Sequence, residues 1–190
     1  MANLEIAEMC ARSGANCGSI FLDLRFRELV KTLLADHPAH LDDASLAYFM
    51  HAFSETDKLA YMGQSDDGAW PYVGHPTSNG VFFHVDNMFH FTTFNVEDPH
   101  DPSVGLINGE LAIPGNLLRR EVFDPVISQV LDLIEEQTRK VDQRIDALLL
   151  VGGFSGSEYL FRRVEVSKHN VRRCGYKSTS VCFRNNLEEE

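Results

Sequence analysis

A run of apolar residues followed by several glycines is the part of the sequence whose residue types best suit ligand binding. The run from Leu148 to Val151 is typical of a strand covered on both faces, and Gly152, Gly153 and Gly156 follow it. Because glycine has no side chain, the backbone there can turn tightly and approach a ligand closely. The stretch therefore predicts a strand and a turn with the form of a nucleotide-binding turn.

A helix is predicted to start directly behind this turn. Ser155 can accept a hydrogen bond from a free N–H of the first helical turn, and Glu158, three residues later, completes the pattern of a capping box. Such a helix end presents N–H donors and partial positive charge, which favour a bound anion. The same strand, turn and helix also form an ordinary connection in α/β domains, so the local pattern leaves both interpretations open.

Two widespread nucleotide-binding motifs are missing from the sequence. No G-x-x-x-x-G-K-[ST] motif occurs, and the glycines of the turn do not have the G-x-G-x-x-G spacing. The turn therefore belongs to neither of these classes.

The bulk composition is that of a folded, acidic chain. It has 190 residues, 44% of them hydrophobic, which is enough for one domain with a sizeable core or for part of a larger one. The net charge of −11 argues against general binding to nucleic acid or to anionic membranes. The basic cluster between Arg162 and Lys177 lacks the aromatic interleaving of a single-strand binding platform, so a solvated surface or a frayed tail is the simpler interpretation.

The N-terminal and cysteine patterns both favour a cytoplasmic protein. The first ten residues contain two acids and no apolar core of a secretory signal, and no segment has the length of a membrane span. The four cysteines lack C-x-x-C spacing, which suits free thiols better than a zinc site or a disulfide framework.

Three amphipathic helices are predicted to surround the strand and turn. Their apolar periodicity covers residues 20–35, with Ser19 as the cap, then 45–61 and about 117–139. Pro125 interrupts the third helix and either recaps it or kinks it. Between the helices, residues 63–102 are rich in glycine, proline and aromatics, with strands predicted around 81–94, and Asn108-Gly109 predicts a type I′ hairpin. The order of elements predicts an α/β layer.

Taken together, these motifs resemble the second lobe of the actin-like ATPase (ribonuclease H-like) fold, within a divergent branch of the heat shock protein 70 chaperones. The stretch from Leu148 to Gly156 is similar to the adenosine-binding motif of the family, and Phe123-Asp124-Pro125-Val126 resembles its L-D-P-V helix. The run from Gly14 to Asp23 is similar to the glycine turn and acidic helix start of the family. Finally, the stretch from Phe53 to Lys58 resembles the helix in which a Glu and a Lys face adenine and ribose.

The resemblance implies a fold and a set of site residues. It implies a mixed sheet with flanking helices plus an α+β subdomain: residues 10–165 would form a partial second lobe, divided into a subdomain at about 20–115 and a helix, strand and adenosine turn at 116–165. Residues 166–190 would be a divergent tail, for which disorder is one expectation. By the same resemblance, adenosine would contact six residues, Glu55, Lys58, Gly152, Gly153, Phe154 and Ser155. Without it, Glu55 and Lys58, one helical turn apart on the same face, would be read as a surface ion pair.

The resemblance also implies what the chain lacks. The phosphate-binding loops of the family, including D-x-G-G-G-T, do not occur here, and phosphoryl transfer depends on such groups to position phosphates and metal. We therefore expect weak ATP or ADP binding, Mg²⁺ binding only if those loops are supplied by another chain, and no hydrolysis by the chain alone. The partner would be a fuller chaperone subunit or a protein client. The alternatives are a non-catalytic interaction module and an inactive truncated product.

Overall fold

The computed structural model describes residues 8–35, 37, 43–63, 88–92, 101–107, 110–141, 145, 147–167 and 181–184. These residues contain both helices and strands, and helical residues predominate. The helices are α1 (Ser19–Leu33), α2 (Asp43–Ala52), α3 (Lys58–Ala60), α4 (Gly115–Leu118), α5 (Asp124–Lys140) and α6 (Glu158–Ser167). The strands are β1 (Met88–Thr92), β2 (Leu106–Ile107), β3 (Glu110–Pro114), β4 (Ala147–Leu150) and β5 (Val181–Arg184).

The described strands form two small antiparallel sheets. In the first, β3 lies between β1 and β2, with Phe91 opposite Leu111. In the second, β4 pairs with β5, with Leu149 opposite Cys182. Every pairing among the described strands is antiparallel, whereas the sequence analysis predicts a mixed sheet. The described residues thus combine helices and strands, as predicted. The assignment to an actin-like lobe stays a proposal.

The predicted hairpin is present. Ile107 pairs with Glu110, which leaves a two-residue connection between β2 and β3. Asn108 and Gly109 themselves lie outside the described residues, as do residues 64–87 and 93–100 of the glycine- and proline-rich segment. The strand predicted around 81–94 is confirmed where it is described, as β1.

The first predicted helix is confirmed, but its predicted cap is wrong. Leu22, Phe26, Leu29 and Val30 form the buried face of α1 at helical spacing. Ser19 is the first helical residue, and the cap position is occupied by Gly18 without a side-chain hydrogen bond.

Two π-helical turns replace regular α-helix in the other predicted helices. Phe53–Asp57 connects α2 to α3, so that the predicted helix at 45–61 is one continuous rod with a wider turn in it. Arg119–Phe123 connects α4 to α5 in the same way, with the Asp124 N–H donating to the Arg119 carbonyl. Pro125 therefore lies in the first turn of α5, directly behind the π-turn, and the helix continues through it.

Aromatic rings from both π-turns meet in the core. The ring of Phe53 stacks on Phe26 at 4.1 Å between centroids, and the ring of Phe123 stacks on Tyr61 at the same distance. The Tyr159 ring of α6 meets Tyr61 edge-on at 5.1 Å. Such pairs add about 0.5–1.5 kcal/mol each to the burial of their surfaces. The core therefore fixes how α1, α3, α5 and α6 face one another.

The strand β4 is covered differently from the prediction. Leu150 is buried, but the Leu149 side chain is 61% exposed and that of Val151 is 71% exposed. The expectation of a strand buried on both faces is therefore wrong. Its partner β5 lies within the tail at 166–190, and the sequence analysis did not predict that pairing. The proposed domain boundaries stay predictions.

Candidate functional site

The glycine turn has the tight geometry that its sequence predicts. Gly152 has a φ of +95°, in the left-handed region that favours glycine. The N–H of Ser155 donates to the Gly152 carbonyl at 3.0 Å, and the Ser155 hydroxyl donates to the same oxygen at 2.7 Å. The hydroxyl of Ser155 therefore closes the turn.

The cap of α6 is Ser157 and not Ser155. Ser157 Oγ accepts from the Leu160 N–H at 3.2 Å, and the helix begins at Glu158. Glu158 accepts from Arg162 one turn later, at 3.3 Å, so the predicted capping box is wrong. The turn contains two serines, and because α6 begins at Glu158, Ser157 occupies the cap position while the hydroxyl of Ser155 bonds back to Gly152.

The turn lies against α1 and α3. A Cβ placed on Gly153 would be 3.7 Å from the Cβ of Ser19, at the start of α1. A Cβ placed on Gly156 would be 3.9 Å from Cδ2 of Leu59, the residue after Lys58. Two predicted site segments that are about a hundred residues apart in sequence are thus neighbours in space.

The side chains of Phe154 and Ser155 are buried. Phe154 belongs to the hydrophobic core of the described residues. A ligand at the turn would therefore meet the backbone of these two residues rather than their side chains.

Lys58 is the centre of a partly buried polar network. Its Nζ donates to both carboxylate oxygens of Asp23, at 2.9 and 3.0 Å, and to Ser54 Oγ at 3.0 Å. The network joins α1 to the rod formed by α2, the first π-turn and α3. The resemblance implies a ligand contact for Lys58, whereas in the structure its partners are Asp23 and Ser54.

Glu55 and Lys58 do not share a face. Glu55 is exposed, while Lys58 is buried. The expectation that both lie on one helical face assumes regular α-helix, but Glu55 lies in the π-turn, where each residue advances less around the axis. Their joint role toward adenosine stays a prediction.

Asp57 is a buried carboxyl that is absent from the predicted site residues. It is 1% exposed, and neither of its carboxylate oxygens has a hydrogen-bond partner among the described residues. Burial raises the pKa of Asp57 to about 7, an effect that its own backbone N–H offsets only in part. Its spacing of four residues from both Phe53 and Tyr61, which are buried, is the signal that could have placed it inside.

A second polar network fixes the helix behind the turn. Asp124 Oδ1 accepts from the Tyr159 hydroxyl and from Arg163 Nη1, each at 2.5 Å. Burial, together with the hydrogen bond to Asp124, raises the pKa of Tyr159 to about 12. The network holds α6 to the start of α5 and thereby holds the glycine turn in place.

Two cavities border α1, and no residue of the glycine turn lines either of them. The larger, of about 770 Å³, lies between α1 and the α4 to α5 region and is lined by Phe21, Leu29 and Leu117 among others. The smaller, of about 290 Å³, lies between α1 and α2 and includes Asp23 and Met50 in its wall.

Comparisons of the chain with protein-family models, with curated proteins and with solved structures find no match. Within the described ranges, no group of three or more His, Cys, Asp or Glu side chains is arranged to hold a metal ion. The helices in those ranges are also too short or too polar to span a membrane.

Proposed function

We propose that the chain carries the adenosine side of a nucleotide site, in a partial second lobe of an actin-like ATPase related to the heat shock protein 70 chaperones. The observation that supports this function best is the position of the glycine turn. Gly153 lies beside the start of α1 and Gly156 lies beside Leu59, so the motifs that carry the resemblance surround one surface. Under this proposal the protein acts in the cytoplasm, either with a fuller chaperone subunit or on a protein client.

The order of elements around the turn gives further support. The helix α5, which contains Asp124 and Pro125, precedes β4, the turn and α6. The network of Asp124, Tyr159 and Arg163 ties this helix to the one behind the turn. A rigid backbone of this kind suits a turn that binds a ligand through main-chain groups.

The phosphate side of the site is what the proposal leaves out. Adenosine has about nineteen heavy atoms, and at ~0.3 kcal/mol per atom a complete pocket would give about 6 kcal/mol, or a Kd on the order of 0.1 mM. Because only the adenosine side of the pocket is present, we expect adenosine to bind with millimolar affinity. Hydrolysis is not part of the proposed function, and Mg²⁺ would enter only with phosphate loops from another chain.

Isothermal titration with adenosine and with ATP, each with and without Mg²⁺, tests this function. The expected result is weak binding of similar strength for both ligands and no effect of Mg²⁺, because the phosphates would extend into solvent. Micromolar, Mg²⁺-dependent ATP binding would contradict the missing phosphate side. No heat and no spectral change with either ligand would contradict the adenosine site itself.

A second candidate function is a non-catalytic interaction module, and the exposure of β4 favours it. Leu149 and Val151 present apolar side chains to solvent beside the turn. Among the described strands, β4 pairs only with β5, and unpaired strand edges favour association. Light scattering after size exclusion separates the two candidates: a monomer at all concentrations argues against obligatory assembly.

An inactive truncated product, the third alternative, would show uniformly low amide protection in hydrogen exchange.

A further inference from the structure

All three hydrogen-bond donors of the Lys58 ammonium group are occupied. It makes three contacts, two with the carboxylate of Asp23 and one with Ser54 Oγ. An ammonium group carries three hydrogens, so these contacts use all of them. The Lys58 side chain is also only 9% exposed. A nucleoside could receive a hydrogen bond from Lys58 only if one of these contacts broke.

Among the described residues, the carboxylate of Asp23 in contrast keeps acceptor positions that no other donor occupies. Two carboxylate oxygens offer about four acceptor positions, and Lys58 occupies one on each oxygen. The Asp23 side chain is 15% exposed, more than that of Lys58. The donors of Lys58 are therefore occupied within the pair, whereas Asp23 can still accept further hydrogen bonds.

The pair lies close to the glycine turn. Ser19, which contacts the Gly153 position, is four residues before Asp23, so the two side chains lie on one face of α1. Leu59, which contacts the Gly156 position, directly follows Lys58. The turn thus spans the two helices that the Asp23 to Lys58 ion pair joins.

We propose that Asp23 accepts hydrogen bonds from the ribose hydroxyls at this site, and that Lys58 is a positioning residue that orients the carboxylate. This inference rests on the proposed adenosine site and reassigns its sugar contact from Glu55 and Lys58. Two neighbouring hydroxyls match a carboxylate, since two donors meet two acceptor oxygens, and hydrogen bonds to a charged acceptor are the stronger kind. The site would therefore select nucleosides that carry the full diol.

The first test uses the unmodified chain of 190 residues. Chemical-shift titrations with adenosine and with 2′,3′-dideoxyadenosine should give about tenfold weaker binding for the dideoxy compound, the loss expected for hydrogen bonds to a charged group. Equal affinity for the two compounds would overturn the role of Asp23 and leave the proposed function standing. No shift with either compound would overturn the proposed function, and this inference with it.

The second test uses matched substitutions. Asp23→Asn should reduce the tenfold preference to about twofold or less, while the same chemical change at the exposed Asp132 of α5 should leave it intact. Lys58→Met should also lose the preference, and Lys58→Arg, which can still donate to a carboxylate, should restore it. If Asp23→Asn keeps the preference, or if Glu55→Gln abolishes it, the proposal is wrong. Where a variant fails to fold, the ligand series on the unmodified chain decides.

Discussion

Arg25 of α1 donates through Nη1 to the main-chain oxygen of Glu121 at 3.2 Å. Glu121 lies four residues before Pro125, and a proline cannot supply the N–H that this carbonyl would receive in a regular helix. The π-turn before α5 and the guanidinium of Arg25 together compensate for that missing donor. Pro125, which the sequence suggests as a helix breaker, is therefore accommodated by a contact between α1 and the π-turn before α5.

This relationship predicts a coupling between Arg25 and Pro125. Arg25→Met should lower the free energy of unfolding by about 0.5–1 kcal/mol, because a carbonyl loses its donor. In a Pro125→Ala background, where residue 125 regains an N–H, the same substitution should cost much less. Urea denaturation of the double-mutant cycle measures the coupling, and Arg27→Met, on the exposed side of α1, is the control. Additive effects at the two sites would show that the Arg25 contact does not replace the missing bond.

The buried carboxyl of Asp57 predicts a pH-dependent stability. Its pKa is about 7 in the folded protein, above the ordinary value of 3.8, so the folded state binds a proton that the unfolded state has lost. The stabilisation is therefore complete below about pH 4 and is lost as pH rises to about 7. A shift of this size corresponds to something on the order of 4 kcal/mol.

Asp57→Asn removes this titration and nearly preserves the shape of the side chain. We expect the variant to gain stability relative to the parent as pH rises from 4 to 8, with no further gain above pH 8. Thermal or urea unfolding at a series of pH values measures the difference, and Asp132→Asn is the exposed control with the same chemical change. A constant difference between parent and variant across this range would show that Asp57 is ionised, and hence partnered, in the folded protein.

The sequence predicted those features that depend on local periodicity and turn chemistry. The buried face of α1, the β2 to β3 hairpin and the tight glycine turn all follow from residue types within a few positions. What it missed depends on long-range contacts. The partner of β4 lies about thirty residues away in a polar tail, and the π-turn that contains Glu55 begins at Phe53, whose ring stacks on Phe26 of a different helix.

Gly63 is a position in the described core at which a single methyl group should be strongly destabilising. Its φ is +84°, and a Cβ there would lie 2.4 Å from two ring carbons of Tyr159. Gly63→Ala should therefore cost about 3 kcal/mol, through backbone strain and through displacement of the ring. Gly14→Ala is the control, because a Cβ at Gly14 has open space around it and its expected effect is within about 0.5 kcal/mol. Equal stability of the two variants would mean that α6 packs differently against Gly63.

Two neighbouring glycines of the turn should separate its structural role from its ligand role. Gly152 needs its left-handed φ, so Gly152→Ala should cost about 1–2 kcal/mol of stability. A Cβ on Gly153 makes only ordinary contact with Ser19, so Gly153→Ala should leave stability nearly unchanged. The added methyl group would nevertheless stand where a nucleoside must approach the backbone, and we expect adenosine binding to weaken severalfold in that variant. Unfolding curves and adenosine titrations of both variants measure the two effects. Unchanged adenosine affinity in Gly153→Ala would mean that the nucleoside does not contact this turn.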